Sequence, residues 1–258
     1  MSTPVLSLDY LVKPSESNAQ QELPLSLLVA QMIDLATDHA NKLGIGFLKL
    51  EPQGFGWVLS RLSVEMKRWP STGETYTLST WVETYNSHFS ERCFSLASPS
   101  GEILGYGRTI WMIIDLKTHK SVGTGGTHLD EDVINPVECP MARIGRHRPF
   151  IPEKSVEYTF KYTDLDFYRH VNTVRYINLL LNQFTLEEFD THHLSRFDIA
   201  FAHEAKYGET AIINSITENP SLPNVQGAAE DIIKRSFEIT IEMQPILTSS
   251  FVLKKSKL

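Results

Sequence analysis

The chain has 258 residues, of which 41% are hydrophobic, and it carries a formal net charge of -7. This length permits one large domain or two domains of about 100–150 residues, and the acidity argues against general binding to nucleic acid or to an anionic membrane. The two cysteines, Cys93 and Cys139, lack the number and spacing of a disulfide framework or a metal site, so we expect structural roles for both and a cytoplasmic location.

The first half of the chain predicts one helix followed by strands. Apolar residues at helical spacing predict a helix from about Leu25 to Leu43, and Gly44 provides a stop. Aromatic and β-branched residues then predict strands at Trp57–Arg68, Thr75–Thr84, Ser90–Ala97 and Gly105–Leu116. The stretch from Gly123 to Pro152 is rich in glycine, proline and charge and has no sustained periodicity, which is typical of an interdomain linker.

The second half repeats this order. A polar loop at Thr163–Arg169 leads to a helix predicted from about Asn172 to Glu188. Strands are predicted to follow at Arg196–His203, Thr210–Glu218, Asp231–Met243 and Ser250–Lys254.

Two short motifs recur at a single offset. Ser60-Arg61 lies ahead of Gly73-Glu74-Thr75, and Ser195-Arg196 lies ahead of Gly208-Glu209-Thr210, so a shift of 135 residues (208 minus 73) aligns both pairs. Shared flanks at equal spacing predict a duplication. A long helix followed by antiparallel strands, twice over, predicts an α+β protein of two tandem hot-dog domains, each an antiparallel sheet wrapped around a long central helix. We expect residues 1–125 and 153–258 to form the domains and residues 126–152 the linker.

The loop before the second helix carries a recognisable motif. It reads Asp164-Leu165-Asp166-Phe167-Tyr168-Arg169-His170-Val171-Asn172-Thr173-Val174-Arg175-Tyr176. This resembles the D-x-D-x-N-x-H-V-N-N-x-x-Y signature of acyl-ACP thioesterases from plants and bacteria, and the likeness covers most of residues 5–218. It implies hydrolysis of fatty acyl-[acyl-carrier-protein] with acyl carrier protein as the partner, no cofactor and no metal. It also implies that the N-terminal domain binds the acyl chain and the C-terminal domain is catalytic.

The resemblance carries four candidate catalytic residues onto this chain. They are Asp166, His170, Glu204 and Tyr168. Tyr168 departs from the family, which has an asparagine there, because a phenol donates one hydrogen bond but lacks the carbonyl acceptor of an amide. The second asparagine of the usual pair is replaced by Thr173.

Thioester hydrolysis requires an activated water and stabilisation of an oxyanion, and the four residues can supply the first. We expect Glu204 to activate water, His170 to assist proton transfer and Asp166 to orient one of them. Backbone N–H groups at the start of the second helix could bind the oxyanion. Direct attack by Asp166 to form an anhydride is an alternative, and Asp166 could instead simply cap a turn, as Asn172 could cap the helix.

The first repeat lacks an equivalent acid–base set, since Glu204 aligns with Trp69. Its apolar helix, under strands carrying Trp57, Leu59 and Trp81, could form the acyl tunnel or be ordinary core. The basic cluster Arg143–Arg148, followed by Lys154, could attract an acidic carrier protein.

Three other functions stay open at this point. An acyl-CoA thioesterase shares the fold, a hot-dog dehydratase would also use a histidine and a carboxylate, and a non-catalytic acyl-binding protein would explain the altered Tyr168. The sequence does not fix the acyl chain length, and exposed sheet edges could support a homodimer.

Overall fold

The computed structural model describes residues 3–124, 134–135, 137–145, 148–218 and 232–256. The chain divides into two compact parts, Met1–Arg143 and Ile144–Leu258, named here the first and the second unit. Among the helices that the described residues form, none combines the length and the apolar character needed to cross a lipid bilayer.

The first unit is an antiparallel sheet packed against one long helix. Its described elements are β1 (Val5–Leu11), α1 (Leu25–Lys42), α2 (Phe47–Leu50), β2 (Phe55–Met66), β3 (Thr75–Tyr85), β4 (Ser90–Ala97) and β5 (Ile103–Asp115). The strands lie in the order β1-β3-β4-β5-β2, and each neighbouring pair is antiparallel. Leu28, Met32 and Leu35 on the inner face of α1 are fully buried, as their helical spacing predicts.

The second unit has the same plan. Its described elements are β6 (Lys154–Thr159), α3 (Thr173–Leu181), α4 (Leu186–Thr191), β7 (His192–Phe201), β8 (Thr210–Glu218), β9 (Ile232–Ile241) and β10 (Gln244–Lys255). The strands lie in the order β6-β8-β9-β10-β7, again antiparallel. The predicted α+β class, with an antiparallel sheet and a buried helix in each half, is confirmed.

The helix of the second unit differs from its prediction. The prediction of a single helix from Asn172 to Glu188 is wrong, because α3 ends at Leu181 and a separate helix, α4, starts after Thr185. The Thr185 hydroxyl accepts the Glu188 N–H at 3.2 Å, and the Glu188 carboxylate accepts the Thr185 N–H at 2.7 Å. This reciprocal capping box satisfies two backbone donors and begins a new helix at that point.

The two predicted repeats have the same local structure at their matching turns. Gly73 has φ 84° and Gly208 has φ 82°, a left-handed conformation that glycine adopts without steric cost. The Glu74 carboxylate accepts the backbone N–H three residues earlier at 2.9 Å, and the Glu209 carboxylate does the same at 2.7 Å. A strand precedes and follows each turn, so the two halves are built from the same supersecondary unit.

Alternate residues of β3 face opposite sides of the sheet. Val82 packs with Ala40 and Ile45 on the side of α1. Trp81 instead packs with Cys93 and Cys139 on the other side. The expectation that Trp81 helps to cover the helix is therefore wrong.

Part of the predicted linker packs against the first unit. Residues 126–133, 136, 146 and 147 lie outside the described residues, including two members of the basic cluster. Of the described part, Cys139 and Met141 are buried, and the Trp81 indole N–H donates to the carbonyl of Val137 at 3.0 Å. Arg143, from the same cluster, lies 3.2 Å from the buried carboxylate of Glu91, so that cation is already paired.

Candidate active site

The motif of the second unit folds as a tight loop anchored by its first aspartate. Asp164 is buried, and its carboxylate accepts the Lys161 N–H at 2.8 Å and the Tyr158 hydroxyl at 3.0 Å. Its carbonyl accepts the N–H of Asn172 at 2.8 Å, which ties the beginning of the loop to the start of α3. Asp164 therefore shapes the loop, a role that the sequence analysis left unassigned.

Asp166 organises the turn that carries His170. One oxygen of its carboxylate accepts the N–H of Tyr168 at 2.9 Å and the N–H of His170 at 3.1 Å. Its own N–H donates to the His170 carbonyl at 2.8 Å, and Arg169 completes the turn with φ 67°. Asp166 thus caps the turn and fixes the backbone of His170, which is one of the roles that the sequence left open for Asp166.

His170 and Glu204 are in direct contact. The His170 Nε2 atom lies 3.2 Å from a Glu204 carboxylate oxygen, and the side chains are 19% and 37% exposed. Glu204 follows β7 rather than lying within a strand. The N–H of Val171 donates to the Ala205 carbonyl at 2.9 Å, and the backbone of His170 forms an isolated antiparallel bridge with that of Lys206. These backbone contacts hold the loop of His170 against the segment that carries Glu204.

Tyr168 lies beside these residues in the chain and packs on an aromatic neighbour. Its ring centroid is 4.2 Å from that of Phe167, which is 77% exposed. The structure therefore joins His170 to Glu204 by a side-chain contact, joins Asp166 to His170 through the backbone, and places the Tyr168 ring against Phe167.

The start of α3 is capped as the sequence predicts. The Asn172 side chain accepts the N–H of Val174 at 2.8 Å, which confirms Asn172 as the helix N-cap. The N-terminal end of a helix carries a partial positive charge from its unpaired N–H groups. The N-cap of α3 comes two residues after His170 in the chain.

Tyr176 is a residue of this region that the sequence analysis quoted but did not assign. It is 3% exposed and packs edge-on against Phe160. Its hydroxyl lies close to the Ala205 backbone but forms no hydrogen bond of ordinary geometry within the described residues. Burial raises the pKa of Tyr176, and the nearby charges of Glu209 and Glu204 raise it further, so the hydroxyl stays protonated.

Both halves of the chain match known families. Residues 5–125 match the family described as Acyl-ACP thioesterase N-terminal domain, and residues 151–250 match the family described as Acyl-ACP thioesterase C-terminal domain. The chloroplastic palmitoyl-acyl carrier protein thioesterase of Gossypium hirsutum is 24% identical over 237 residues, which cover 83% of this chain and 54% of that protein. The chloroplastic oleoyl-acyl carrier protein thioesterase 1 of Arabidopsis thaliana is 22% identical, over 82% of this chain and 63% of that protein. The chain thus spans about half the length of the first of these plant relatives.

Solved structures agree over nearly the whole chain. An acyl-ACP thioesterase from Bacteroides thetaiotaomicron superposes with a TM-score of 0.84 at 25% identity, covering 97% of this chain and 98% of that one. The 12:0-ACP thioesterase from Umbellularia californica superposes with a TM-score of 0.81 at 16% identity, covering 99% and 96%. These likenesses confirm the tandem hot-dog fold predicted from the sequence.

Proposed function

Since this chain belongs to the acyl-ACP thioesterase family, we propose that it hydrolyses the thioester of fatty acyl-[acyl-carrier-protein] and releases free fatty acid and holo-ACP. The observation that supports this most strongly is the contact of 3.2 Å between His170 and Glu204. A carboxylate and an imidazole in contact, both partly open to solvent, can accept and pass on a proton from water.

In the proposed reaction, Glu204 accepts a proton as a water oxygen attacks the thioester carbonyl. The N-terminal end of α3 offers N–H groups for the oxyanion that develops. The proton passes from Glu204 to His170, and the tetrahedral intermediate collapses as its C–S bond breaks. The departing thiolate takes up that proton from His170, which returns both side chains to their starting state.

Asp166 acts in this proposal as a positioning residue. Its carboxylate oxygen already accepts two backbone N–H groups, one of them from His170. The two hydrogen bonds occupy that oxygen and leave it less free to attack a carbonyl carbon. They favour direct attack by water over the alternative in which Asp166 forms an anhydride. Tyr168, at the position of the family amide, packs its ring on Phe167.

The first unit would bind the acyl chain, within the domain boundaries 1–125 and 153–258 expected from the sequence. Its helix packs very closely on the sheet, because a Cβ atom at Gly107 would lie within 2.4 Å of the Met32 side chain. Met32 therefore fills the space between α1 and Gly107 of β5, and an acyl chain that enters at this point requires the Met32 side chain to move. Met32 suits this role, since its unbranched thioether adapts to several shapes.

Two exposed cations favour a carrier protein as the donor of the acyl group. Arg169 immediately precedes His170 in the loop. Lys206, in the segment that follows β7, forms an isolated backbone β-bridge with His170. Neither has an ion pair within the described part of the chain. An acidic carrier with its phosphopantetheine phosphate would gain attraction there.

The proposal is tested by following thiol release from a panel of medium- and long-chain acyl-ACPs and from the matching acyl-CoAs. We expect turnover of acyl-ACP at least roughly tenfold more efficient than turnover of the corresponding acyl-CoA. Equal or better turnover of acyl-CoA would identify a CoA thioesterase of the same fold. Tight binding of acyl-ACP without release would identify a non-catalytic acyl-binding protein.

A further inference from the structure

The two cysteines of the chain, separate in sequence, meet in the first unit. Cys93 lies on β4, and Cys139 lies on the segment 137–143 that packs over β3, β4 and β5. Both side chains are buried, at 0% and 2% exposure, and they pack in one cluster with Trp81 and Met141. Both residues belong to the first unit, and the proposed hydrolysis uses neither thiol.

The backbone on both sides of Cys139 is fixed to the sheet. Its N–H donates to the carboxylate of Glu83 at 2.7 Å, and its carbonyl accepts from the Arg108 guanidinium at 3.1 Å. The Sγ atom of Cys139 lies 3.9 Å from the carbonyl oxygen of Gly107 on β5. These contacts fix the backbone of Cys139 within the cluster that also contains Cys93.

The two thiols have different environments. The pKa of Cys139 is lowered, because the Cys93 thiol donates a hydrogen bond to it and the Met141 backbone and Arg108 also favour the thiolate, against the effect of burial. The pKa of Cys93 is raised, because it donates that hydrogen bond and is itself buried. This difference favours Cys139 as the nucleophilic sulfur and Cys93 as the resolving one.

We propose that Cys93 and Cys139 form an oxidisable dithiol site, which a peroxide converts into an intramolecular disulfide that fastens the segment 137–143 to β4. In the reducing compartment that the sequence predicts, the pair stays as two thiols until an oxidant of this class reaches it.

The chemistry balances in two steps. The Cys139 thiolate attacks one oxygen of hydrogen peroxide, the O–O bond breaks, and the other oxygen leaves as hydroxide that takes up a proton to give water. Cys139 is then a sulfenic acid. The Cys93 sulfur attacks it, the S–O bond breaks, and a second water leaves with the Cys93 proton. Two electrons from the sulfur atoms reduce one peroxide, and the products are one disulfide and two waters.

The test treats the reduced full-length protein with hydrogen peroxide and then digests it after blocking free thiols. We expect an intact mass lower by two hydrogen atoms and a peptide pair linked through Cys93 and Cys139. A Cys93→Ser variant should instead show dimedone-trapped sulfenic acid at Cys139 without a link, and Cys139→Ser should show neither. Oxidation of wild type should also raise the unfolding temperature by roughly 5–15 °C, reversibly with dithiothreitol, because the bond closes a long loop.

Peptide mapping of the wild type decides the matter even where a serine variant does not fold. Two free cysteines after peroxide treatment that fully oxidises a small reference thiol would overturn the proposal. So would mixed or intermolecular disulfides in place of the Cys93–Cys139 link. Since neither outcome depends on acyl-ACP turnover, failure here and failure of the proposed hydrolysis are distinguishable.

Discussion

Tyr176 combines a well-packed ring with a hydroxyl that has no hydrogen bond of ordinary geometry within the described residues. An unbonded buried hydroxyl costs about 1–3 kcal/mol, unless a water or a bound substrate satisfies it. We therefore expect Tyr176→Phe to leave the second unit as stable as wild type or more stable, and to lower kcat for acyl-ACP about tenfold. Tyr207→Phe, at an exposed position beside the same loop, is the matched control. A loss of stability in Tyr176→Phe would show instead that the hydroxyl is bonded in the resting protein.

His39, in helix α1 of the first unit, is a second buried polar residue. It accepts a hydrogen bond from Arg92 at its Nδ1 atom (2.7 Å), and its Nε2 atom lies 2.9 Å from the carbonyl of Thr3. Burial first, and then the Arg92 charge, lower its pKa from 6.5 to about 4. Between these values the unfolded chain binds a proton that the folded chain does not. Stability therefore falls as the pH drops from about 6.5 to about 4, by on the order of 3 kcal/mol in total.

A His39→Gln variant tests this directly, because glutamine can still accept from Arg92 but does not titrate. All four tryptophans lie in the first unit, so denaturant unfolding followed by tryptophan fluorescence reports on that unit. The variant should lose much of the pH dependence between pH 4 and 6.5, whereas His88→Gln, at an exposed position, should keep it. An unchanged pH dependence in His39→Gln would contradict the assignment.

Helix α3 depends on its cap to hold the candidate site in place. Asn172→Ala removes the acceptor for the Val174 N–H and should cost about 1 kcal/mol of local stability. Hydrogen exchange of the α3 amides measures this cost without a global unfolding experiment. Asn182→Ala, at the exposed C-cap of the same helix, should leave that exchange nearly unchanged. Equal effects of the two substitutions would mean that the cap contributes nothing specific.

Elements with strong periodicity were predictable from the sequence, and those without it were not. The observed α1 ends one residue from its predicted bound, and β4 and β8 match their predictions. The edge strands β1 and β6 were not predicted, although apolar residues alternate with polar ones in both (Leu6, Leu8 and Tyr10 in β1, Val156 and Tyr158 in β6). The break after α3 did carry a signal, since Thr185 and Glu188 form a capping box, but the apolar spacing around it continued the helical pattern.

At the scale of the whole molecule, duplication was the most informative sequence feature. Two turns at one offset were enough to predict two sheets of the same plan, and the structure has both. The motif before α3 pointed to His170 and the wider family resemblance to Glu204, and the structure places the two side chains in contact. What spacing alone did not reveal is which of its alternative roles Asp166 has, or that the Tyr176 hydroxyl is buried without a hydrogen bond of ordinary geometry within the described residues. Those depend on backbone geometry that no linear pattern encodes.

The proposed function depends above all on the contact between His170 and Glu204, in which Glu204 accepts the proton from water. The most direct test is kcat and KM for acyl-ACP hydrolysis by wild type and by Glu204→Gln, with Glu157→Gln at an exposed strand position as the control. We predict a loss in kcat of about 10²–10⁴-fold for Glu204→Gln with KM nearly unchanged, because the amide keeps the shape but accepts no proton. Wild-type kcat in Glu204→Gln would contradict the role given to this carboxylate.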